Sequence, residues 1–409
     1  MRSAMCPSVF EANLPQLTYV DAPTPEEAHR RIRQARERGA IAMGLLGPEI
    51  LSYELVRGVL LDSRFGMPKG SFLAAQGITS GPLTQRFGNS LPSLEGTEHA
   101  RLRRLVAQAF TPRATARLHT MMTELITSIV EPLTAVGSCD VVVDIAQRYP
   151  IPVICALLGA PARDWRLFSG WADTIFKIFT WSAAGNEDII VKAYGELDAY
   201  IDNMVAQRRE NLTDDLISEL LRAEDDGDRL TRDELCKLVA VLLTAGTDTT
   251  RHQLAAAVQV LCDHPEQWAL LAEQPDLAPQ AVAEVVRHTP VAFFVVREAY
   301  EDVELAGVVI PADTKVAVNI AAANRDPRVY DDPDRFDITR ADPSPRLAFG
   351  TGIHVCLGAH LARAELTHAL AVLPRRMPNL RRTGAAPWKP FTSLTGPLTL
   401  PVEFDTAAA

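Results

Sequence analysis

One glycine-rich segment combines the residue types that most directly suggest chemistry. Gly350, Gly352 and Gly358 surround a single cysteine, Cys356. Glycines at this density predict a backbone that turns tightly and comes close to another group. Cys356 is expected in the first turn of the following helix, where free N–H groups favour thiolate over thiol. Such a cysteine is a nucleophile, a metal ligand or an inert core residue, and His354 lies too close along an extended loop to be its catalytic partner.

A second unusual segment follows an entirely apolar stretch. Residues 238–243 are apolar on every side of a helix, which predicts burial all round. Residues 244–250 come next and contain Gly246 and Asp248 among four threonines. Glycine and threonine are poor helix formers, and a carboxylate is costly to bury. Threonines that bond back to earlier carbonyls explain part of this pattern, but the glycine and the acid together favour a functional break in a central helix.

Both segments must be positioned by a mainly helical chain. Strand-like alternation is limited to short pieces, of which 303–310 and 315–320 form the clearest pair, joined by a turn at 311–314. The fold class is therefore mainly α with a small β portion, in a single domain over residues 1–409, and it lacks the alternation of a doubly wound sheet. Periodicity and capping signals predict helices at 25–38, 48–61, 98–109, 112–135, 150–158, 163–180, 188–209, 231–263, 265–273, 279–288 and 357–373.

The composition limits the class of partner. The chain carries 41 Lys+Arg against 51 Asp+Glu, a net charge of −10 that argues against nucleic acid or an anionic membrane as the main partner. None of the six cysteines forms a C-x-x-C pair, which favours a reducing cytoplasm over a disulfide scaffold. The sequence contains no signal-peptide core and no stretch of the roughly 18 apolar residues that span a bilayer. We therefore expect a cytoplasmic protein that acts on a small molecule.

The glycine-rich segment resembles the haem-binding loop of the cytochrome P-450 family. That loop reads F-G-x-G-x-H-x-C-x-G-x-x-L-A-R, and every specified position is filled between Phe349 and Arg363. The resemblance implies that Cys356 is the axial thiolate ligand of haem iron and that Phe349 packs against the porphyrin. It also implies that backbone N–H groups of the loop, which contains Gly350 and Gly358, bond to the sulfur and temper its electron donation.

The resemblance extends to the predicted central helix. Residues 245–250 match the family's distal motif A-G-x-[DE]-T-[TS]. Ala245 and Gly246 would lie against the haem, where the glycine lets the helix open to make room for dioxygen. Thr249 and Asp248 would deliver the protons that oxygen activation needs while bulk water is kept out.

Two further motifs imply a structural ion-pair network. Glu284 and Arg287 match the family's E-x-x-R, whose i,i+3 spacing puts both charges on one helix face. Residues 333–336 resemble P-E-R-F, which makes Arg335 the expected third member, with Arg340 a weaker candidate. Such a network would hold the cysteine loop in place, whereas a motif this short, taken alone, usually describes an exposed surface pair.

The two propionates of haem require cationic donors when they are buried. His99 and Arg103 are four residues apart, share a helix face and match the family's propionate-binding pair. Arg297 and His354 would complete the set. Three arginines would instead point outward on the thiolate side, as a basic patch for an acidic electron donor: Arg101, Arg104 and Arg363.

The family's substrate-contacting regions can be located by their order along the chain. Here they contain aromatic and aliphatic side chains and few charges, which predicts a largely apolar ligand. An ordinary core role competes with each individual assignment. The expected pocket residues are Phe72, Phe179, Leu242, Phe293, Phe294 and Phe391.

The resemblance as a whole implies a soluble, bacterial-type haem-thiolate monooxygenase, with haem b held between the long distal helix and the cysteine loop. It would use O2 as co-substrate to hydroxylate or epoxidise an apolar small molecule. Electrons would come from NAD(P)H through a separate ferredoxin and ferredoxin reductase, because only 46 residues follow Arg363. We expect a monomer that binds neither nucleic acid nor membrane. A haem carrier or sensor would need no proton relay, and a hydrolase using Cys356 as nucleophile would need a nearby base.

Overall fold

The computed structural model describes residues 6–68, 71–74, 76–179, 182–225, 230–341 and 347–406. In this part of the chain the α-helices are α1 (Pro25–Arg38), α2 (Tyr53–Leu61), α3 (Ser71–Ala74), α4 (Pro82–Gly88), α5 (Gly96–Ala107), α6 (Pro112–Ala116), α7 (His119–Thr134), α8 (Pro150–Leu158), α9 (Trp165–Ile175), α10 (Glu187–Glu210), α11 (Leu216–Asp225), α12 (Arg232–Cys262), α13 (Pro265–Glu273), α14 (Ala278–His288), α15 (Ile320–Ala323) and α16 (Ala359–Arg376). The strands are β1 (Ile41–Gly44), β2 (Gly47–Ile50), β3 (Phe65–Gly66), β4 (Ser138–Asp140), β5 (Phe294–Ala299), β6 (Val303–Leu305), β7 (Val308–Ile310), β8 (Lys315–Asn319), β9 (Arg381–Arg382) and β10 (Pro401–Glu403). This is the mainly α fold with a small β portion that the sequence predicts.

The chain is arranged in two compact units, and the first unit contains most of the β structure. It consists of Met1–Lys69, Ala283–Cys356 and Ala386–Leu398. Its five-stranded sheet has the order β1-β2-β8-β5-β3, with β2 parallel to β8 and the other neighbours antiparallel. Apolar side chains of the sheet pack with those of α2 in one buried cluster. This unit carries the cysteine loop.

The strand pairing differs from the sequence prediction. The predicted strand 303–310 is itself a hairpin, because Ala306 and Gly307 adopt φ of 49° and 82° and turn β6 back onto β7. Positive φ at both central residues is the geometry of a tight two-residue hairpin turn. The segment at 315–319 pairs instead with β5 and β2. The predicted hairpin through 311–314 was therefore wrong, as was the helix over the first residues of 48–61, where β2 lies.

The second unit is built around α12. It consists of Gly70–Val282, Leu357–Ala385 and Thr399–Ala409. Helices α8, α9, α10 and α16 all pack against α12, which explains why its apolar stretch must be buried on every side. A small antiparallel sheet, β4-β10-β9, completes the unit.

The predicted limits of the central helix are confirmed. The Thr231 side chain accepts a hydrogen bond from the N–H of Glu234, and the Glu234 carboxylate accepts one from the N–H of Thr231 at 2.7 Å. This reciprocal capping box starts α12, and Pro265 begins the next helix. With 31 residues the helix is roughly 46 Å long.

One helical segment among the described residues is apolar enough to cross a membrane by length and composition. Val141–Leu158 has 18 residues and a mean hydropathy of 1.6, and 72% of it is buried inside the fold. Core helices of water-soluble proteins meet the same criteria. Asp144 and Arg148 interrupt the segment, in keeping with a core helix.

Candidate functional site

The cysteine loop of the first unit is folded back on itself by backbone hydrogen bonds. The N–H of Gly350 donates to the carbonyl of Leu347, and the N–H of Cys356 donates to the carbonyl of Phe349, both at 2.8 Å. Gly350 and Gly352 adopt φ of 69° and 76°, a region that side chains with a Cβ avoid. The loop can therefore close tightly only because glycines stand at its two turns.

Gly352 also allows a close backbone approach to α2. A Cβ at this position would lie 2.6 Å from the carbonyl oxygen of Leu60. No side chain fits there without moving the loop or the helix. The glycine-rich pattern is thus explained by two requirements at once, a positive φ and a contact with α2.

Cys356 lies before the helix that follows it rather than within its first turn. Helix α16 begins at Ala359 with Gly358 as N-cap, so the expectation that Cys356 occupies the first turn was wrong. The side chain of Cys356 is exposed, which is unlike an inert core cysteine. By contrast, burial raises the pKa of Cys155 to about 12 and that of Cys236 to about 11. Among the cysteines, the accessible sulfur that suits a soft metal ligand is the one on the glycine loop.

A buried ion-pair network in the first unit is centred on Glu284. The guanidinium of Arg287 donates to both carboxylate oxygens of Glu284 at 2.7 Å, and neither side chain is exposed by more than 2%. Arg340 donates to the same carboxylate at 3.3 Å, as does the N–H of Asp337 at 3.0 Å. The i,i+3 motif therefore forms a buried pair rather than an exposed one.

The third arginine of this network is Arg340, not Arg335 as the sequence predicted. The Arg335 side chain is 63% exposed and pairs with Asp337. Only the carbonyl of Arg335 takes part, by accepting a hydrogen bond from Arg287 at 3.1 Å. The chain between residues 332 and 340 turns so that Arg340 points inward and Arg335 points outward.

This network is connected to the cysteine loop by a short series of hydrogen bonds. Arg287 donates to the carbonyl of Asn324 at 3.1 Å. The side-chain carbonyl of Asn324 in turn accepts from the N–H of Leu347 at 3.0 Å, and the carbonyl of Leu347 accepts from Gly350. The buried charges of Glu284 and Arg287 thus fix the position at which the cysteine loop starts.

The middle of α12 in the second unit is a continuous helix. The hydroxyls of Thr244, Thr247 and Thr249 each donate to the carbonyl four residues earlier, at 2.6–2.9 Å. The hydroxyl groups of these threonines therefore find their hydrogen-bond acceptors within the helix. The helix is continuous over Arg232–Cys262, so the expected break is not present there. A Cβ on Gly246 would lie 3.2 Å from the Cδ1 of Ile154 on α8, so the glycine gives α8 room to pack against α12.

Asp248 is a buried acid with two basic partners on its own helix. Its side chain is 2% exposed, pairs with Arg251, and lies 3.5 Å from the Nε2 of His252. Arg251 also reaches Asp173 on α9, at 2.6 Å, and the Asp173 side chain is half exposed. A chain of charged groups thus runs from the buried carboxylate to the surface of this unit.

Glu365 on α16 is a buried acid that the sequence reasoning missed. It is 1% exposed, and burial raises the pKa of its carboxyl well above the ordinary value, a shift that a hydrogen bond with Thr250 of α12 partly opposes. Tyr149 donates to the main-chain carbonyl of Glu365 at 3.1 Å. The sequence signal that was available for this burial is the position of Glu365 four residues after the buried Leu361. That spacing places Glu365 on the buried face of α16.

The four predicted propionate ligands are divided between the units. His99 and Arg103 lie one turn apart on α5 of the second unit, His99 buried and Arg103 half-buried. In the first unit Arg297 is buried on β5, where it donates to the carbonyl of Val296 at 2.9 Å. His354 is half-buried in a single 3-10 turn of the cysteine loop.

One of the three arginines of the expected basic patch is paired within the second unit. Arg101 pairs with Glu98 and with Glu234, so its charge is compensated inside the second unit. Arg104 and Arg363 are exposed.

Two of the expected pocket residues pack in the core. The ring of Phe293 packs against Tyr19, His29 and Phe391, with centroids 5.2–5.6 Å apart, and Phe293 and Phe391 are at most 1% exposed. This packing favours the competing core role for these two residues.

The other expected pocket residues are divided between the two units. Phe294 and Leu242 are buried, and Phe179 forms a ring cluster with Phe87 and Phe176 in the second unit. The side chain of Phe72 lies outside the described residues.

Comparisons with known proteins agree with the sequence resemblance. The model of the cytochrome P-450 family matches residues 166–376. The chain is 36% identical over 405 residues to luteothin monooxygenase from Streptomyces thioluteus, covering 97% of each chain. It is 38% identical over 359 residues to mycinamicin IV hydroxylase/epoxidase from Micromonospora griseorubida, covering 86% of this chain and 88% of that one. The solved structure of CalO2 has a TM-score of 0.90 at 32% identity and covers 97% of this chain and 100% of its own.

The names of both relatives describe oxygenases, which favours the monooxygenase interpretation over a carrier, a sensor or a hydrolase. The fold prediction is also confirmed by the structural similarity. Since the similarity runs through nearly the whole chain in sequence and in structure, the chain belongs to the cytochrome P-450 family and is a haem-dependent monooxygenase that works with redox partners.

Proposed function

We propose that Cys356 is the axial ligand of the haem. The observation that carries this assignment is the exposed thiol on a loop whose glycines and hydrogen bonds leave it little freedom. The buried thiols of Cys155 and Cys236, with their raised pKa, are poor thiolate donors by comparison. Phe349, Gly350 and Gly358 belong to the same site as supports of the loop.

The overall reaction combines O2, two electrons and two protons with the substrate, giving one oxygen atom to the substrate and one to water. Bound haem supplies the iron at which dioxygen is activated. The protein must therefore deliver two protons to a site that excludes bulk water.

We assign proton delivery to Asp248 and Thr249. The hydroxyl proton of Thr249 is donated to the carbonyl of Ala245, so its oxygen has lone pairs free to accept a hydrogen bond and to orient a proton donor such as water. Asp248 is the nearest carboxylate along the helix, and its partner Arg251 in turn pairs with Asp173 towards the surface. When Asp248 turns away from Arg251, its carboxylate can carry a proton inward.

His99, Arg103, Arg297 and His354 are assigned to the haem propionates. Two of them are buried cationic or imidazole groups, which would balance the propionate charges away from water. We also assign Ala245 and Gly246 to the haem contact, Ala245 because it is a small residue exposed on α12.

The electrons come, in this proposal, from NAD(P)H through a ferredoxin and its reductase. Arg104 and Arg363 provide exposed positive charge on an otherwise acidic chain, which suits an acidic donor. We place the reaction in the cytoplasm, where thiols such as those of Cys155 and Cys236 stay reduced.

We propose a largely apolar small molecule as the substrate. The names of the relatives mention luteothin and mycinamicin IV. Phe179, Leu242 and Phe294 remain assigned to the pocket, because their side chains are apolar. A screen for substrate-induced change in the haem spin state identifies the ligand class.

The experiment that tests the haem assignment is a carbon monoxide difference spectrum of the dithionite-reduced protein, recorded for wild type, Cys356→Ser and the control Cys6→Ser. We expect the strongly red-shifted Soret band of thiolate-bound haem in wild type and Cys6→Ser and its loss in Cys356→Ser. A red-shifted band that persists in Cys356→Ser would overturn the assignment.

A further inference from the structure

Two histidines of the second unit, remote in sequence, face each other. His119 is the first residue of α7, and His368 lies in the middle of α16. Their ring centroids are 4.9 Å apart at an interplanar angle of 60°. His119 is exposed and His368 is half-buried, so the pair is open to solvent on one side. Neither residue has a part in the proposed oxygenase chemistry.

A threonine next to the pair sets the proton position on one imidazole. The hydroxyl of Thr123 donates to the main-chain carbonyl of His119 at 3.2 Å, and its oxygen lies 2.8 Å from the Nδ1 of His368. The hydroxyl has a single proton, so whenever it donates to the carbonyl it accepts from the Nδ1 of His368. In that arrangement neutral His368 carries its proton on Nδ1 and keeps a lone pair on Nε2.

That arrangement is the one that metal-binding histidines use. A ligating imidazole generally donates its other ring N–H to a nearby oxygen, which fixes the tautomer and orients the ring. The second ring nitrogen of His368, Nε2, is then the one that can bind an ion.

The distance between the rings also agrees with a shared ion. Two imidazoles that bind one ion at about 2 Å per nitrogen have ring centroids roughly 4.5–5.2 Å apart, for octahedral to tetrahedral angles at the metal. We propose that His119 and His368 form a binding site for a late first-row divalent metal ion of the Zn²⁺, Ni²⁺ or Cu²⁺ type, for which imidazole is a preferred ligand.

Water completes the coordination of this ion. Among the described residues there is no group of three or more His, Cys, Asp or Glu side chains placed to hold a metal. Two protein ligands make an open, exchangeable site, unlike the closed four-ligand sites of structural zinc. A bound ion would join α7 to α16, two helices that already pack against each other.

The test is calorimetric titration of the tag-free, haem-loaded protein with Zn²⁺, with crystals soaked in Zn²⁺ for anomalous diffraction. We expect one ion per chain and an anomalous peak between the two imidazoles. His119→Ala and His368→Ala should each weaken binding by roughly 100-fold, and Thr123→Val by about tenfold through the lost support of His368. His360→Ala is the matched control, since His360 is exposed on the same helix, and it should bind as wild type does.

The titration does not depend on the oxygenase assignment, because it measures the ion and not turnover. No binding to wild type, or equal binding in wild type and both histidine variants, would mean an adventitious ion only and would overturn the proposal. Unchanged affinity in Thr123→Val would overturn the tautomer assignment for His368.

Discussion

Glu284 in the first unit and Asp248 in the second are buried to the same degree, at 1% and 2% exposure, but their partners differ in kind. The carboxylate of Glu284 accepts hydrogen bonds from two guanidinium nitrogens of Arg287, from the guanidinium of Arg340 and from a backbone N–H. Asp248 pairs with Arg251 and approaches His252, both within one turn of its own helix. Arg251 is in turn shared with Asp173.

This difference separates a structural acid from one that can change partners. Removing any member of the Glu284 network leaves a buried charge or carbonyl unsatisfied, so the network resists rearrangement. Arg251 can stay paired with half-exposed Asp173 while Asp248 turns away. Burial alone therefore does not show which acid does chemistry, whereas the geometry of its partners does.

The largest effect is expected from breaking the structural acid. Glu284→Ala leaves Arg287 buried without its carboxylate, and it should lower the free energy of unfolding by about 3–5 kcal/mol. Because the network fixes the start of the cysteine loop, little haem should be incorporated. Urea unfolding and the haem-to-protein ratio measure both effects.

Two arginine variants test the correction to the sequence prediction. Arg340→Ala should destabilise clearly, since its side chain is 12% exposed and contacts Glu284. Arg335→Ala should change the free energy of unfolding by less than about 1 kcal/mol, because its pair with Asp337 is largely exposed. Equal losses in the two variants would contradict the assignment of Arg340 as third member.

A third buried acid, Glu49, extends the comparison, because neutral groups surround it. Tyr19 donates to its Oε1 at 2.5 Å and Asn319 at 2.6 Å. Burial raises its pKa from 4.5 to about 7, and the two hydrogen bonds lower it only in part. The folded state thus holds a proton that the unfolded state releases above pH 4.5. Stability from this group is present below pH 4.5 and is lost as the pH rises to about 7.

Glu49→Gln should remove this loss of folding stability at higher pH. The stability difference between variant and wild type should grow by roughly 2–4 kcal/mol in favour of the variant as the pH rises from about 4.5 to about 7, and then stay constant. Urea unfolding at several pH values checks this, with Glu54→Gln, an exposed acid on α2, as control. A difference that does not vary with pH would contradict the raised pKa.

Asp248→Asn tests the acid that can change partners. The amide keeps the shape of the side chain but cannot carry a proton, so product formation should fall roughly 100-fold while haem content and substrate binding stay close to wild type. Asp233→Asn is the control, because Asp233 lies exposed at the start of the same helix. Wild-type turnover in Asp248→Asn would remove this residue from proton delivery.

Local patterns predicted much of the site. The capping box, apolar stretch and following proline defined α12, and the i,i+3 spacing of Glu284 and Arg287 gave their ion pair. Both signals depend only on residues a few positions apart. The cysteine loop was found in the same way, through glycines that the structure requires at positive φ.

The features that the sequence did not predict depend on how the chain turns and packs. Arg340 is preferred to Arg335 because of turns between residues 332 and 340 that include Asp332 at a φ of 45°, an unusual conformation for a residue other than glycine. The β6–β7 hairpin likewise turns at Ala306 with positive φ. Alanine at position 306 gives no sign of such a turn, and the burial of Glu365 arises only when α16 packs against α12.

The smallest effect is expected at the threonine next to Asp248. Thr249→Ala and Thr247→Ala each remove a hydroxyl that bonds to the carbonyl four residues earlier, so their effects on the helix should be alike. Thr247 is completely buried, whereas Thr249 is partly exposed. If Thr249 orients a proton donor, Thr249→Ala alone should lower the ratio of product to NAD(P)H consumed, by roughly tenfold, with hydrogen peroxide accounting for the lost electrons. Equal coupling in the two variants would show that the hydroxyl of Thr249 serves the helix and not the reaction, and proton delivery would then rest on Asp248 alone.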